Sequence, residues 1–418
     1  MKKFDYLINS YSEGKTLSQE FYLADEIFDY EIKKIYFNQW LMVDHLSRIP
    51  KQGDYFLFNV EKESLIIIRG RDDVVRAFYN VCTHRGSRIC LEEEGNKKLL
   101  VCPYHAWSFD SEGQLKAARF MSDDFNPKDW GLRLCHLRIY SGLIFVNFAL
   151  GDPDNFEEFV EPLNPYLNLH KLEDAKVAYR KKYPVKANWK TTLENFQECY
   201  HCVPSHKSFS SIHDKEYVNI YGAGKGSAPD EETEAYEKKI EPWNQEQNKK
   251  GILTGHYLEE KTEIGLTRYA DRIPIGNQNE SQTEDGKFAS TLMGNFKNLG
   301  PDYGITQISY NPFSNSYLTN DFVILFIFKP INTLETEVEL IWLVDKDAIE
   351  GKDYDVNKMI WCWDVTTQED TKIIEDNFKG IQSQSYKPGT LSEIEKAINY
   401  FYNWYFINLR KEKNGQTL

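Results

Sequence analysis

The sequence lacks any apolar run long enough to cross a membrane. Its longest apolar runs cover only residues 65–68 and 322–328, whereas a membrane-spanning helix needs about 20 apolar residues. The start carries Lys2 and Lys3 but no apolar stretch or small-residue cleavage site of the kind found in secretory signal peptides. We therefore expect a protein without a membrane span and with a cytoplasmic location.

Positively charged residues are also fewer than negatively charged ones. The chain has 50 Lys and Arg residues against 64 Asp and Glu residues, a formal net charge of −14. Nucleic-acid binding depends on clustered Lys and Arg side chains that neutralise phosphates, and no basic patch stands out in the sequence. We expect no nucleic-acid partner, and we interpret the acidic excess as a solvated surface.

Cysteines are few and odd in number, seven in all, in a chain without an export signal. Both facts argue against a disulfide framework. Disulfides are therefore not expected, and metal binding is the first role to consider for these thiols.

The pattern of short runs divides the chain into three parts. Helical spacing dominates at the start, short β-rich runs separated by turn signals follow, and helical and strand-like patterns alternate in the rest. Polar segments at 222–260 and 277–287 are typical of long surface loops around a site. We predict an α+β protein with a helical lead-in, a small antiparallel β domain and a mixed domain, at residues 1–40, 41–150 and 151–418.

Two short motifs in the β domain supply four metal ligands. Cys82-x-His84 and Cys102-x-x-His105 each deliver one thiolate and one imidazole from one loop. A Rieske [2Fe–2S] cluster needs two thiolates on one iron and two imidazoles on the other. A structural zinc site is the alternative, because Zn²⁺ also accepts Cys and His ligands. The two unequal spacings favour the Rieske cluster.

A second set of candidate ligands lies in the mixed domain. Asn188 is placed to cap a helix predicted over residues 189–201, on which Glu198 and His201 share one face. Pro204 breaks helical phase, so His206 can turn back towards His201. Two neutral imidazoles and one carboxylate form the facial triad of non-haem Fe(II) oxygenases. The Cys199-x-x-Cys202 pair on the same segment is interpreted as incidental, with a redox pair or a zinc site as the alternative.

The carboxylate of such a triad has to come from elsewhere in the chain. Asp370 is the candidate, because it precedes Ile373 and Ile374 by three and four residues and so faces the buried side of a helix predicted over 367–380. The alternative role for Asp370 is a capping-box partner of Thr367. The rival acidic ligands are Asp364, Glu369 and Glu375.

These motifs, in this order, resemble the α subunits of Rieske non-haem iron oxygenases that hydroxylate aromatic rings or demethylate amines. The resemblance covers nearly the whole chain, and within the family the sequence most resembles the glycine betaine monooxygenase branch. The residues that carry it are Cys82-x-His84, Arg85-Gly86-Ser87-Arg88, Val101-Cys102-Pro103-Tyr104-His105 and Glu198-Cys199-Tyr200-His201-Cys202-x-x-x-His206.

The resemblance implies a Rieske β domain followed by a helix-grip (START-like) catalytic domain, assembled as a head-to-tail homotrimer. It implies a [2Fe–2S] cluster at Cys82, His84, Cys102 and His105, and a mononuclear Fe(II) at His201, His206 and Asp370. It also implies that Glu198 is catalytic, as the carboxylate that bridges His201 of one chain and His105 of the next. A flavin and iron–sulfur reductase that oxidises NAD(P)H would supply the electrons.

The function implied by the resemblance is oxidative N-demethylation of a small quaternary ammonium compound such as glycine betaine, with O2 as co-substrate, giving dimethylglycine and formaldehyde. The alternative is hydroxylation or demethylation of another small aromatic or N-methylated substrate by the same machinery. A Rieske electron carrier and a zinc scaffold are further alternatives, although a carrier needs no second metal site. Aromatic rings attract quaternary ammonium groups, and the candidates for such a role are Tyr257, Tyr269, Tyr310, Phe313, Tyr317 and Trp342.

Overall fold

The computed structural model describes residues 2–214, 230–259 and 268–411, and these residues fold as two units. The first, called the β unit here, is Asn38–Phe156. The second, called the mixed unit, joins Met1–Phe37 to Glu157–Leu418. Both units combine antiparallel sheets with helices or loops, so the predicted α+β class is confirmed.

The β unit contains a seven-stranded antiparallel sheet in the order β1-β10-β9-β4-β3-β2-β5 and a three-stranded sheet in the order β6-β7-β8. Runs of β-branched and aromatic residues form these strands because such side chains pack well on a pleated surface. The strands are β1 Leu41–His45, β2 Asp54–Val60, β3 Glu63–Arg69, β4 Val75–Tyr79, β5 Glu94–Asn96, β6 Leu100–Val101, β7 Ser108–Phe109, β8 Leu115–Ala117, β9 Leu134–Tyr140 and β10 Leu143–Asn147.

One sheet of seven antiparallel strands forms the centre of the mixed unit, in the order β11-β17-β16-β15-β14-β13-β12. The apolar run seen in the sequence at 322–328 lies almost wholly in β16, and both β16 and β17 are buried along most of their length. The strands are β11 Ala175–Val185, β12 Gly255–Glu259, β13 Arg268–Pro274, β14 Gly304–Asn311, β15 Ser314–Leu318, β16 Val323–Asn332 and β17 Glu335–Asp345.

Helices cover this sheet, and the longest packs against β11 and two shorter helices. The helices of the described residues are α1 Lys2–Ser10, α2 Gln19–Leu23, α3 Asp25–Lys34, α4 Phe156–Val160, α5 Asn164–Leu167, α6 Trp189–Phe196, α7 Cys202–Ser205, α8 Lys207–Ile212, α9 Asp230–Lys249, α10 Phe296–Leu299, α11 Val356–Ile381 and α12 Lys396–Arg410. None of these helices is both long and apolar enough to span a membrane.

Within the mixed unit, α3 packs against α6 and α12 around a buried charge pair. Lys190 of α6 contacts Glu31 of α3 at 2.7 Å, and both side chains are fully buried. Trp189 donates a hydrogen bond of 2.9 Å to the same carboxylate, and Tyr405 of α12 donates another. Since a buried carboxylate is costly unless it is paired and hydrogen-bonded, these contacts fix α3 on α6 and α12.

The two segments predicted as surface loops behave differently. In the first, 222–260, residues 230–249 form α9, which buries Tyr236, Ile240 and Gln247, and residues 255–259 form β12, so the prediction of a loop was wrong there. Residues 222–229 and 260 lie outside the described part of the chain. The second, 277–287, is irregular as predicted, but Gln282 and its two neighbours are fully buried. Polar composition concealed this burial because their side chains find hydrogen-bond partners inside the fold.

Candidate metal centres

The loops that carry Cys82 and Cys102 have the same backbone conformation. In each, the cysteine N–H donates to the carbonyl five residues later, and the cysteine carbonyl accepts from the N–H four residues later, at 2.8–3.0 Å. That later residue, Gly86 or Ala106, has a φ of 79° or 60°, the left-handed region that closes a tight turn. Two unrelated stretches of sequence therefore hold their cysteines in equivalent turns, whereas the histidine follows its cysteine by two residues in one loop and by three in the other.

The four predicted cluster ligands differ in exposure in a regular way. Cys82 and Cys102 are buried in the core of the β unit, whereas His84 is half-buried and His105 is exposed. The two imidazole rings lie 4.7 Å apart between centroids, and His84 stacks on Trp107 at 4.7 Å. Burial raises the pKa of the Cys82 thiol. Two thiols inside and two imidazoles outside match the donor set of a Rieske cluster.

In the mixed unit, α6 ends at Phe196, earlier than the sequence pattern predicts. Asn188 caps its start as predicted, with its side chain accepting from Lys190 N–H at 3.1 Å. Beyond the end of α6 the Glu198 carboxylate accepts the Tyr200 N–H, and such a local side-chain acceptor competes with helical hydrogen bonding. The prediction that Glu198 and His201 share a helix face was therefore wrong.

Glu198 and His201 nevertheless meet, through this turn. Oε1 of Glu198 lies 2.6 Å from Nδ1 of His201. His206 follows α7 with a φ of −118° and a ψ of 79°, so it leaves helical phase as the sequence predicted. Its ring centroid lies 5.1 Å from that of His201.

Asp370 completes this arrangement from the middle of α11. Its Oδ1 lies 2.9 Å from Nε2 of His206 and 3.3 Å from Nε2 of His201. The Nδ1 atom of His206 contacts Glu369 at 2.9 Å. Both imidazoles thus direct Nε2 towards the buried carboxylate of Asp370, and each directs Nδ1 towards a partly buried outer carboxylate of its own. Outer carboxylates orient metal-binding histidines in this way.

The rival roles for the acidic residues are resolved by position. Asp364 pairs with Lys181 at 2.5 Å and Glu375 accepts the Lys186 N–H at 3.0 Å, both away from the histidines. Thr367 lies inside α11 rather than at its start, so the capping-box alternative for Asp370 was wrong. Only Asp370, of the four acidic candidates, faces Nε2 of both histidines.

The electrostatics of the site favour a bound cation. Burial alone would lower the pKa of His201, but its contacts with Asp370 and Glu198 outweigh burial and raise that pKa to about 9. The pKa of His206 is also raised, by Asp370 and Glu369 against the effect of burial. Three carboxylates thus surround two imidazoles. A bound divalent metal would supply the positive charge that protonated imidazoles would otherwise supply. The residues present fit a mononuclear iron.

Cys199 and Cys202, on either side of His201, are joined as a disulfide with a Cα–Cα distance of 4.8 Å. The odd number of cysteines and the lack of an export signal predicted no disulfides, and this prediction was wrong. The other five cysteines are free.

A cavity of about 180 Å³ opens beside His201, His206 and Asp370. Of the six aromatic candidates named from the sequence, Tyr269 and Tyr317 line it, whereas Tyr310, Phe313 and Trp342 are buried outside its lining. The side chain of Tyr257 lies outside the described residues. The lining also includes Trp363, which the sequence analysis missed, although its position seven residues before Asp370 places both on one helix face.

Comparison with known protein families identifies the family to which these two sites belong. Residues 39–134 match the Rieske [2Fe-2S] domain, and residues 172–410 match the ring hydroxylating alpha subunit (catalytic domain). The chain belongs to the Rieske non-haem iron oxygenases. The family and the enzyme class predicted from the sequence are confirmed, and so are the cofactors, because the two domains of this family bind a [2Fe–2S] cluster and a mononuclear iron.

Relatives of this oxygenase cover most of its length. It is 33% identical over 402 residues to the glycine betaine monooxygenase oxygenase subunit of Pseudomonas aeruginosa, covering 96% of this chain and 90% of that protein. It is 36% identical over 200 residues to the carnitine monooxygenase oxygenase subunit of Acinetobacter pittii, covering 47% and 53%. The solved structure of a quaternary ammonium Rieske monooxygenase aligns with a TM-score of 0.71 at 23% identity, covering 97% of this chain and 98% of that one. This last likeness supports the fold alone.

Proposed function

We propose that this oxygenase removes a methyl group from a small quaternary ammonium compound, with glycine betaine as the first candidate substrate. The observation that carries the proposal is the cavity beside His201, His206 and Asp370, which combines aromatic rings with carboxylates. Both features attract a cation that carries no hydrogen-bond donor. The relatives named above, which act on glycine betaine and carnitine, support the same class of substrate.

The residues proposed to hold the two metal groups are those that the fold brings together. Cys82 and Cys102 would bind one iron of the cluster, and His84 and His105 the other. His201, His206 and Asp370 would bind the mononuclear iron and leave positions open for O2 beside the cavity. When bound, these groups supply electron storage and O2 activation, whereas the surrounding residues set geometry and exclude water.

Two outer carboxylates have separate roles in the proposal. Glu369 orients His206 through Nδ1, and Glu198 orients His201 in the same way. We further propose that Glu198 also bridges to His105 of the partner subunit in a homotrimer, so that electrons cross between chains. The exposure of His105, together with the 10% exposure of the Glu198 side chain, supports this role.

The proposed reaction balances with two electrons from an NAD(P)H-dependent flavin and iron–sulfur reductase. The substrate methyl group, one O2, two electrons and two protons give a hydroxymethylammonium and one water. This product then breaks its C–N bond, with the electron pair staying on nitrogen, and releases formaldehyde and one proton. Glycine betaine would yield dimethylglycine.

The test is product analysis with the holoenzyme. Glycine betaine, O2, NAD(P)H and a suitable reductase should give formaldehyde and dimethylglycine in equal amounts, at one NAD(P)H per formaldehyde. Asp370→Asn is the control and should give neither product. If betaines give no turnover while an aromatic acid yields a hydroxylated product, the substrate assignment is wrong and the alternative substrate class replaces it.

A further inference from the structure

One part of the cavity lining is a group of three aromatic side chains from three different elements. Trp363 of α11 lies 4.4 Å from Tyr317 of β15 and 5.5 Å from Phe209 of α8, measured between ring centroids. All three residues line the cavity. Ring faces attract cations, and the indole ring does so most strongly. This group of residues is called the aromatic wall below.

Helix geometry places the aromatic wall next to the candidate iron ligands. Trp363, Thr366 and Asp370 follow the spacing that keeps residues on one face of a helix, and all three line the cavity. Seven residues of helix correspond to about 10 Å along the axis. A trimethylammonium group held at Trp363 could therefore direct a methyl group towards His201, His206 and Asp370.

The indole of Trp363 is held by a chain of buried hydrogen bonds. Its Nε1–H donates to Oε1 of Gln282 at 2.9 Å, and Nε2 of Gln282 lies 3.1 Å from Nε2 of His213. Nδ1 of His213 lies 3.1 Å from the carbonyl oxygen of Ile275. Gln282 and His213 are fully buried.

The donor and acceptor roles along this series of hydrogen bonds follow from the groups at its two ends. A carbonyl oxygen only accepts, so Nδ1 of His213 carries the hydrogen and Nε2 is left as an acceptor for the Gln282 amide. The Gln282 oxygen is then free to accept from Trp363. The chain requires a neutral His213, and burial lowers the pKa of His213 to about 4. A neutral imidazole places no positive charge behind the ring that would receive a cation.

A guanidinium at the cavity lining suits the other end of a zwitterion. Arg268 of β13 lines the cavity and donates to the carbonyl oxygens of Glu158 and Phe159, at 2.7 Å for the latter. A betaine carries a carboxylate as well as an ammonium group, so it matches a cavity with an aromatic wall and a guanidinium.

We propose that Trp363 is the specificity-determining residue that receives the ammonium group of the substrate, and that Gln282 and His213 are positioning residues that hold its indole against the cavity. This inference rests on the proposed function, because it takes a quaternary ammonium compound as the substrate. Beyond the proposed function, it identifies the ring that selects for the positive charge of the substrate and the buried side chains that keep this ring in place.

The test compares two ligands that differ only in charge. Glycine betaine and 3,3-dimethylbutanoate have the same shape, but a carbon atom replaces the nitrogen in the second. Their dissociation constants are measured anaerobically by calorimetry on the iron-loaded holoenzyme. We expect Trp363→Leu to weaken betaine binding about 10-fold relative to the isostere, with Trp363→Phe in between. Trp342→Phe, at a buried tryptophan outside the cavity lining, should leave the ratio of the two constants unchanged.

The positioning role is tested with Gln282→Met, which keeps side-chain length but removes both hydrogen bonds. It should reduce the preference for betaine over the isostere about 3-fold or more, yet have no further effect in a Trp363→Phe background, because phenylalanine has no N–H to hold. Additive losses in the double variant would overturn the role of Gln282. A variant that only loosened the fold would weaken both ligands equally.

The outcomes separate this inference from the proposed function. If the wild-type holoenzyme neither binds glycine betaine nor releases formaldehyde from it, the proposed function is overturned. If it demethylates betaine while Trp363→Leu and Trp363→Phe keep the wild-type ratio of dissociation constants, only the inference about Trp363 is overturned. Should Trp363→Leu fail to fold, Trp363→Phe decides the question, since it retains a ring of similar packing.

Discussion

The replacement of Glu198 by Gln separates electron bridging from simple orientation of a ligand. Glu198 Oε1 lies 2.6 Å from Nδ1 of His201, and its side chain is 10% exposed. The amide keeps the size and part of the hydrogen bonding but removes the charge, and a charge-assisted hydrogen bond is about twice as strong as a neutral one. An orienting role alone would lower iron affinity or activity by about 10–100-fold.

Glu369 offers a matched control, because its Oε2 lies 2.9 Å from Nδ1 of His206 in the equivalent relation. Glu369→Gln should lower iron affinity within the same range of about 10–100-fold, and excess Fe(II) should restore its activity. Glu198→Gln should remain inactive, by more than about 100-fold, after its iron content has been restored. The difference between the two variants isolates the electron bridge from the shared orienting effect.

The assay follows the absorbance of the reduced cluster after rapid mixing with O2 and substrate, with iron content measured on the same samples. In wild type and Glu369→Gln the cluster should reoxidise, and in Glu198→Gln it should stay reduced although both metal sites are filled. Reoxidation within a few-fold of wild type at full iron occupancy would refute the bridge. Loss of iron as the sole defect of Glu198→Gln would assign it the orienting role.

Three further predictions concern metal content, assembly and pH. Purified holoenzyme should hold about three iron atoms and two labile sulfides per chain. Cys102→Ala should lose only the cluster, and His206→Ala should lose only the mononuclear iron. A colourless protein that contains zinc would contradict both assignments. Mixed trimers of His105→Ala and Asp370→Asn chains should recover part of the activity that each variant lacks, and no recovery in verified mixed trimers would confine transfer to one chain. Burial raises the pKa of Glu194 to about 7, above its unfolded value, so folding favours the protonated carboxyl. The free energy of unfolding should therefore fall as the pH rises from about 5 to about 7. Between pH 5 and pH 8, the free energy of unfolding measured with denaturant should fall by about 3 kcal/mol more in wild type than in Glu194→Gln. Parallel pH profiles of the two proteins would contradict this.

The two loops of the β unit that carry the candidate cluster ligands could be recognised from local sequence alone. Cys82 and His84 lie on one short turn, and Cys102 and His105 on another, so their chemistry is visible without knowledge of the fold. The strand runs around them were also predicted, because β-branched and aromatic residues alternate with turn signals over short distances. The α+β class followed from the same local patterns.

The carboxylate that meets the two histidines depended on the tertiary structure. Sequence spacing placed Asp370 on a buried face but left three acidic rivals, since it carries no information on which helix face lies opposite His206. Packing of α11 against α6 and α8 brings Asp370 to both imidazoles and Glu369 to the outer side of one. Contacts between residues so distant in sequence are set by packing.

Two side chains show most directly what only the tertiary structure decided. Glu194 of α6 is held in the interior by hydrogen bonds of 2.8 and 2.9 Å that Tyr22 and Tyr402 donate from distant parts of the chain. Gln282 lies in a segment whose composition is typical of a surface loop, yet it is fully buried and holds Trp363. The sequence by itself determined the metal chemistry and the fold class, because those signals are local. The partners of buried polar side chains come from distant parts of the chain, so only folding determined them.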